Sequence, residues 1–250
     1  MTTGRVHSVE TLGALDGPGL RCVVFLQGCP LRCQYCHNPD TWDSRGGQVV
    51  SAADILSRVM KYKKYFGESG GVTLSGGEPL MQAEFAAEVL RLCQEAGIHT
   101  ALDTSGYRLD ADVQRVLDYT RLVILDIKHA DPQQCKDLSG GELAAPLEFM
   151  AAVSGRGIPL WVRQVIVPGL NDSEDDIRML AELLAGVSDV SGAGTLERAE
   201  LLAYHAMARG KWEQLGRDYP LKDIPAADGD RVDELQQLLD SLLLAKKKRA

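Results

Sequence analysis

No run in the 250 residues comes near the 18 or more apolar positions that a membrane helix needs, and the opening stretch Met1 to Glu10 has no apolar core of a secretory signal. Excess positive charge is missing too. The 27 Lys and Arg stand against 35 Asp and Glu, a formal net charge of −8, which excludes wholesale adhesion to nucleic acid or anionic lipid. Six cysteines are too few for a disulfide scaffold at this length, and no internal repeat, linker or low-complexity tract appears. The remaining composition, 45% hydrophobic and 25% charged, is that of a globular chain long enough to bury a core without disulfides or metal. These absences predict one domain, 1–250, soluble and cytoplasmic, with its thiols reduced, no membrane contact and no nucleic-acid partner. The basic tail Lys246–Arg249 reads as a complement to the dipole of the last helix rather than as a nucleic-acid patch.

A single theme recurs along the chain: a short apolar, β-branched run, a loop, then an amphipathic helical segment. Strands are expected at Leu20–Leu26, Val72–Leu74, Ile98–Asp103, Leu122–Ile127, Leu160–Val167 and Glu200–Tyr204. Ser51 and Asp54 form a capping box before a helix that presents Ile55, Leu56, Val59 and Met60 on one face. Gln82–Ala96 follows, with Phe85, Val89, Leu92 and Cys93 inward and Gly97 at its end. Another helix opens at Ser173–Asp176, and Val232, Leu235, Leu239 and Leu242 mark the last. Buried strands alternating with helices imply a parallel sheet. Periodicity does not choose between a flat sheet and a barrel, but polar residues do. Ser75–Glu78, Asp103–Thr104, Asp126–Lys128, Arg163 and His205 stand at or near carboxyl ends of strands, where a barrel carries its active site. The fold class expected is α/β, a partial (β/α)6 TIM-like barrel.

Three of the six cysteines, Cys29, Cys33 and Cys36, fall within eight residues directly after the first expected strand, spaced C-x3-C-x2-C. A structural zinc site needs a fourth ligand, and His37, adjacent to Cys36, is badly placed to supply it. Cys22, Cys93 and Cys135 lie on expected elements and read as core, as do His7, His99 and His129 as structural histidines. Three thiolates without a fourth suit a 4Fe–4S cluster with one iron open to an outside ligand.

This spacing, in this loop, resembles the radical S-adenosylmethionine (SAM) enzymes. The resemblance implies that Cys29, Cys33 and Cys36 bind three irons and that SAM chelates the fourth. One electron would then cleave its sulfonium to give methionine and a 5′-deoxyadenosyl radical. Ser75-Gly-Gly-Glu78-Pro79 is similar to the family's glycine-rich segment, where backbone without Cβ lets the methionyl amino group approach; Gly76, Gly77 and Glu78 are its site residues. Tyr35, Cys36, His37 and Asn38 would line the adenine and ribose, and Asp126, Ile127, Lys128, Arg163 and His205 match further cofactor-contacting positions.

The likeness extends over nearly the whole chain. Gly4–Ser8, Asp16-Gly-Pro-Gly19, Gln27–Cys29, Tyr35–Asn38, Asp40–Trp42, Leu102–Thr104, Val165–Gly169, Tyr204–His205 and Lys211–Trp212 fall in order, and together resemble the pyruvate formate-lyase activating enzymes. That family takes an α-hydrogen from one glycine of pyruvate formate-lyase, leaving a glycyl radical delocalised over the flanking amides. It implies that Asp16 meets the lyase and that Asp103, Thr104 and Asp126 hold a monovalent cation. It also implies a flavodoxin or ferredoxin-type electron donor, and the chain is expected to be a monomer. No cysteine lies between the cluster loop and Ser75, so a single-cluster activase is the simpler reading. Met207-Ala208 departs from the family's usual Leu-Gly, and Asp137–Ala145, read as a surface loop, is divergent. Two alternatives stay open: a radical enzyme acting on another glycyl-radical enzyme or a small molecule, and a non-catalytic zinc-binding interaction module.

Overall fold

The structure is a computed structural model that describes residues 2–191 and 195–247. Of the basic tail, Lys248 and Arg249 lie outside the described residues. Its elements are β1 (Thr3–Gly13), β2 (Arg21–Leu26), β3 (Gln48–Ser51), α1 (Ala52–Met60), β4 (Gly71–Gly76), α2 (Ala83–Glu95), β5 (His99–Thr104), α3 (Ala111–Asp118), β6 (Leu122–Asp126), α4 (Pro132–Ser139), α5 (Ala144–Gly155), β7 (Leu160–Ile166), α6 (Glu174–Ser191), β8 (Leu196–Ala203), α7 (Arg209–Gln214) and α8 (Gly229–Lys247). The strands run in the order β3-β1-β2-β4-β5-β6-β7-β8. The chain divides into two compact units: residues 1–30 with 41–124, and residues 31–40 with 125–250. The first therefore holds β1 to β5 and the start of β6; the second holds the end of β6, β7 and β8. Among the described residues no helix is long and apolar enough to cross a membrane.

In the first unit, β2, β4 and β5 lie parallel, in register from Arg21↔Gly71 and Gly71↔His99 upward. Cys22, Val23, Val24, Val72, Leu74, Ala101 and Leu102 show no exposed surface, which is why these strands read as continuous apolar runs. The sheet is not wholly parallel. The sequence reading lacks β1 and β3, which pair antiparallel with β2 and with β1. Their alternation is too weak to see: β1 buries only Gly4, Val6 and Gly13, and β3 buries only Ser51. The Ser51–Asp54 capping box opens α1, burying Ile55 and Val59, whereas Met60 turns outward at 44% exposure. α2 starts at Ala83 rather than Gln82, because Pro79–Gln82 forms a tight turn of its own, and it packs beside α1 and α3.

In the second unit, β7 and β8 are parallel, with Arg163 opposite Glu200. Ser173 caps α6 with Asp176, as expected: the Asp176 N–H donates to Ser173 Oγ at 3.2 Å, and Ser173 N–H donates back at 3.1 Å. α8 lays Val232, Leu235 and Leu239 against α6 and β8. Its Gln236 side chain stitches to the main chain of β8, accepting from Leu201 N–H at 2.8 Å and donating to Ala199 C=O at 2.9 Å.

Candidate active site

β2 delivers the chain into Gly28 and Cys29 at its carboxyl end, in the first unit. Two residues of the glycine-rich segment seal that exit. Gly77 N–H donates to Leu26 C=O at 2.9 Å and Glu78 N–H to Gly28 C=O at 2.8 Å. A Cβ on Gly77 would collide with the Gly28 carbonyl, and Gly76, at φ +114, would drive one into the backbone of Leu26. The glycines thus have a reason of their own: backbone must lie on backbone immediately before the first cysteine.

Glu78, expected beside the cofactor, spends its carboxylate inside this unit. It is 1% exposed. It accepts from Leu80 N–H (3.0 Å), Thr104 Oγ1 (2.6 Å), Ser105 N–H (2.8 Å) and Ser105 Oγ (2.6 Å). It ties the glycine-rich segment to the end of β5, and no oxygen is left over for a ligand. Glu78→Gln replaces acceptors by an amide that must aim donors at donors. It should cost about 1–3 kcal/mol of stability, lowering the thermal midpoint by roughly 2–10 °C in calorimetry. An unchanged midpoint would show that the four bonds are dispensable. Beside it, Asp103 accepts from Ser75 Oγ at 2.5 Å.

Asp16 lies at the opposite, amino-terminal end of β2. Its carbonyl accepts from Thr73 Oγ1 at 2.7 Å, and the same hydroxyl oxygen accepts from the buried Arg21 guanidinium at 2.6 Å. Burial pushes the Arg21 pKa down to about 10, and the nearby Asp16 charge works against that shift. Arg21 also donates to Pro18 C=O (3.0 Å), so the turn 16–19 is cast around this cation.

The second unit holds the rest of the cysteine loop. Cys33 is buried, and desolvation pushes its thiol up to about 11, with the Lys128 ammonium pulling the other way. Lys128 Nζ lies 2.8 Å from Asp126 Oδ2 and 5.8 Å from the centre of the Tyr35 ring. Burial disfavours the Lys128 charge, but Asp126 and Tyr35 outweigh it, and its pKa stands well above the ordinary lysine value. The Tyr35 hydroxyl is buried with no hydrogen-bond partner among the described residues. Ile127 is fully buried, its N–H donating to Arg163 C=O at 2.9 Å. The Arg163 side chain pairs across the strands with Glu200 at 2.9 Å.

His37 and His205 come together. Their rings stack with centres 4.2 Å apart, and His37 Nε2 lies 3.3 Å from the His205 carbonyl, a bond that Nε2–H donates. Burial, then the neighbouring His205, lowers the His37 pKa, while the hydrogen bond to the His205 carbonyl works against the shift. His205 Nδ1 is buried without a partner among the described residues. Asn38 Oδ1 accepts from Lys211 Nζ at 2.9 Å, and Cys36 C=O accepts from Trp212 Nε1 at 2.9 Å.

The segment Asp137–Ala145 proves to be more than a surface loop. Its first three residues complete α4, and Leu138 and Ser139 are buried. The helix ends at Gly140, φ +74, leaving carbonyls that the cysteine loop takes up: Arg32 N–H donates to Ser139 C=O at 2.8 Å and Gln34 N–H to Leu138 C=O at 2.9 Å. The core assignments of Cys22, Cys93 and Cys135 agree with their burial, all three as free thiols. His129 is likewise buried, Nδ1 accepting from Asp131 N–H at 2.9 Å, and His99 accepts from Arg21 Nη2 at 3.1 Å. Glu200, Ser105 and the carbonyls at the end of α4 escaped sequence reading. Only the helix-stop Gly140 offered a signal for any of them.

Among the described residues no group of three or more His, Cys, Asp or Glu side chains is arranged to hold a single metal ion. The sequence matches the Radical SAM superfamily model over residues 23–184. It is 46% identical over 244 residues to the pyruvate formate-lyase-activating enzyme of Clostridium pasteurianum, across 97% of this chain and 100% of that one. It is 38% identical over 240 residues to the pyruvate formate-lyase 1-activating enzyme of Escherichia coli strain K12, across 95% of each. A solved domain of the pyruvate-formate lyase-activating enzyme of Bacteroides vulgatus ATCC 8482 is similar with a TM-score of 0.55 at 25% identity, over 69% of this chain and 94% of that chain.

Proposed function

The chain belongs to the radical SAM superfamily and, within it, to the pyruvate formate-lyase-activating enzymes, and from that membership we propose which residues perform the reaction. Its fold is the superfamily's partial TIM-like barrel, and it is a SAM-dependent activase of pyruvate formate-lyase. The zinc-module alternative falls with the membership. When bound, a 4Fe–4S cluster would supply one-electron reduction of SAM for the hydrogen abstraction from a glycine of the lyase.

Cys29, Cys33 and Cys36 hold the cluster in this reading. The observation that carries it is the loop itself, three thiols within eight residues of irregular chain between β2 and β3. A buried thiol such as Cys33 resists ionising, and Lys128 lowers that cost, so the ammonium stabilises the thiolate that iron requires. Tyr35, His37, Asn38, Gly76, Gly77, Asp126, Ile127, Lys128, Arg163 and His205 receive SAM. Two buried polar atoms without partners, the Tyr35 hydroxyl and His205 Nδ1, are satisfied when a hydroxyl- and amine-bearing ligand binds. Glu78 acts at one remove, holding the glycine-rich segment to β5. His37 backs His205 by ring stacking.

The reading extends to a monovalent cation held by Asp103, Thr104 and Asp126, although Asp126 already has the Lys128 ammonium as a counter-charge. It places Asp16 against the lyase, takes its electron from a flavodoxin or ferredoxin-type donor, and treats the chain as a monomer. Buried thiols such as Cys22, Cys93 and Cys135, outside any disulfide, suit the reducing cytoplasm.

The test is anaerobic reconstitution with iron and sulfide, reduction by dithionite, and incubation with SAM and pyruvate formate-lyase. 5′-Deoxyadenosine should accumulate and the lyase should show a glycyl-radical resonance. Both should vanish after exposure to air and return on reconstitution, because an iron with an open coordination site is open to oxygen. Full activity in an air-equilibrated preparation would overturn the cluster assignment. 5′-Deoxyadenosine without a radical on this lyase would point to a different glycyl-radical enzyme.

A further inference from the structure

We propose that the segment from Tyr204 to Tyr219 is a clasp on the cysteine loop, with Trp212 as the positioning residue that fixes the main chain at Cys36. Lys211 is its second hold. This rests on the reading that Cys36 is a cluster ligand.

The loop has little structure of its own. Apart from the turn Cys36 N–H to Cys33 C=O (3.1 Å), its backbone in the second unit leans on other elements. On its first side, Arg32 and Gln34 hang on the end of α4. On its other side, three consecutive residues of the loop meet the segment after β8. Trp212 Nε1 donates to Cys36 C=O at 2.9 Å, His37 stacks on His205, and Lys211 Nζ donates to Asn38 Oδ1 at 2.9 Å while standing 3.7 Å from Asp40 Oδ1. An indole donates one hydrogen bond and accepts none, and this Trp, 4% exposed, places its N–H on the Cys36 carbonyl.

The indole is itself braced. Tyr219 meets it edge-on, with ring centres 5.4 Å apart at 68°. The Tyr219 hydroxyl donates to Tyr204 Oη at 3.0 Å, and the Tyr204 hydroxyl donates to Leu221 C=O at 3.4 Å. Tyr204 and Tyr219 are both buried. A rigid aromatic stack therefore ends in one directed N–H, and the carbonyl it holds belongs to the third cysteine. His205 is the residue after Tyr204, so the clasp fixes a SAM-site side chain and a cluster ligand from one base.

Trp212→Phe keeps the packed ring and removes the donor. In anaerobically reconstituted enzyme, iron should pass to an excess of chelator about three- to tenfold faster than from the parent, the range that one hydrogen bond gives. The cluster's visible absorption reads this without turnover. Lys211→Met should accelerate the loss less, because its hold is half-exposed. Thr195→Val, which breaks the buried Thr195–Ser154 hydroxyl pair elsewhere in the same unit, is matched for the loss of one bond and should release iron at the parent rate. Iron loss from Trp212→Phe at the parent rate, or loss from Thr195→Val as fast as from Trp212→Phe, overturns the clasp. Cys36→Ala separates the two levels. If it retains full iron, the ligand reading fails; if it loses iron while Trp212→Phe does not, the clasp alone fails.

Discussion

Replacing any one of Cys29, Cys33 or Cys36 by Ala abolishes both the intact cluster and SAM cleavage, whereas Cys22→Ala, Cys93→Ala and Cys135→Ala leave iron and sulfide content nearly unchanged. Chemistry and position in the fold both demand this split. A cluster that leaves one iron for SAM has no protein ligand in reserve, so losing one of three thiolates leaves two irons without a protein bond. Cys22, Cys93 and Cys135 are free thiols sunk in regular elements, at 0%, 0% and 2% exposure. Burial pushes the Cys22 thiol up to about 11 and the Cys93 thiol up to about 12, with no cation offsetting either shift as Lys128 does for Cys33. Their removal deletes one small buried hydrophobe each, a stability cost of about 1 kcal/mol with no ligand lost. Iron and sulfide analysis, with 5′-deoxyadenosine measured by chromatography, checks the prediction. A Cys135 variant that failed to hold its cluster would show that a ligand had been misassigned.

What the sequence made legible was whatever was repeated or crowded. The parallel strands announce themselves because a strand covered on both faces must be apolar throughout, as Val72, Leu74 and Leu122–Leu125 are. The cysteine loop announces itself by spacing, and α1 and α6 by their capping boxes. The hairpin partner β1 stays hidden because little of it is buried, and β3 because its valine at 49 is 61% exposed. Function-bearing polar residues were legible as positions but not as partners. Glu78 sits where expected, yet its carboxylate is consumed by Thr104 and Ser105, a pairing between residues 26 and 27 apart that no local pattern encodes. The Trp212 bond to Cys36 spans 176 residues, and the residues between them carry no trace of it. Asp137–Ala145 looked expendable because it diverges from the family pattern, while its contribution to the site is a pair of main-chain carbonyls, which any residue supplies.

Asp16→Asn retains cleavage of SAM by the dithionite-reduced enzyme but loses glycyl-radical formation on the lyase, while His205→Ala loses both. The separation follows from where the two side chains sit. Asp16 is on the turn before β2, at the end of that strand away from Gly28 and Cys29, its main chain held by Thr73 and its surroundings by Arg21. Asn keeps the size of the side chain and removes its charge, so the turn should survive. On the proposed reading the variant loses a charge-assisted bond to the partner, about 1.5–3 kcal/mol, which lowers kcat/KM for the lyase by roughly ten- to a hundredfold. His205, by contrast, stacks on His37 within the cysteine loop, and its Nδ1 is buried with no partner among the described residues. Alanine there removes the plate against which SAM is oriented. Reactive geometry is sensitive to shifts of about 1 Å, which can reduce the rate about a hundredfold, so 5′-deoxyadenosine and radical should fall together. Chromatography measures the first product and electron paramagnetic resonance the second. If Asp16→Asn lost both signals in parallel, the turn 16–19 would belong to the cofactor site, and recognition of the lyase would have to lie elsewhere on the chain.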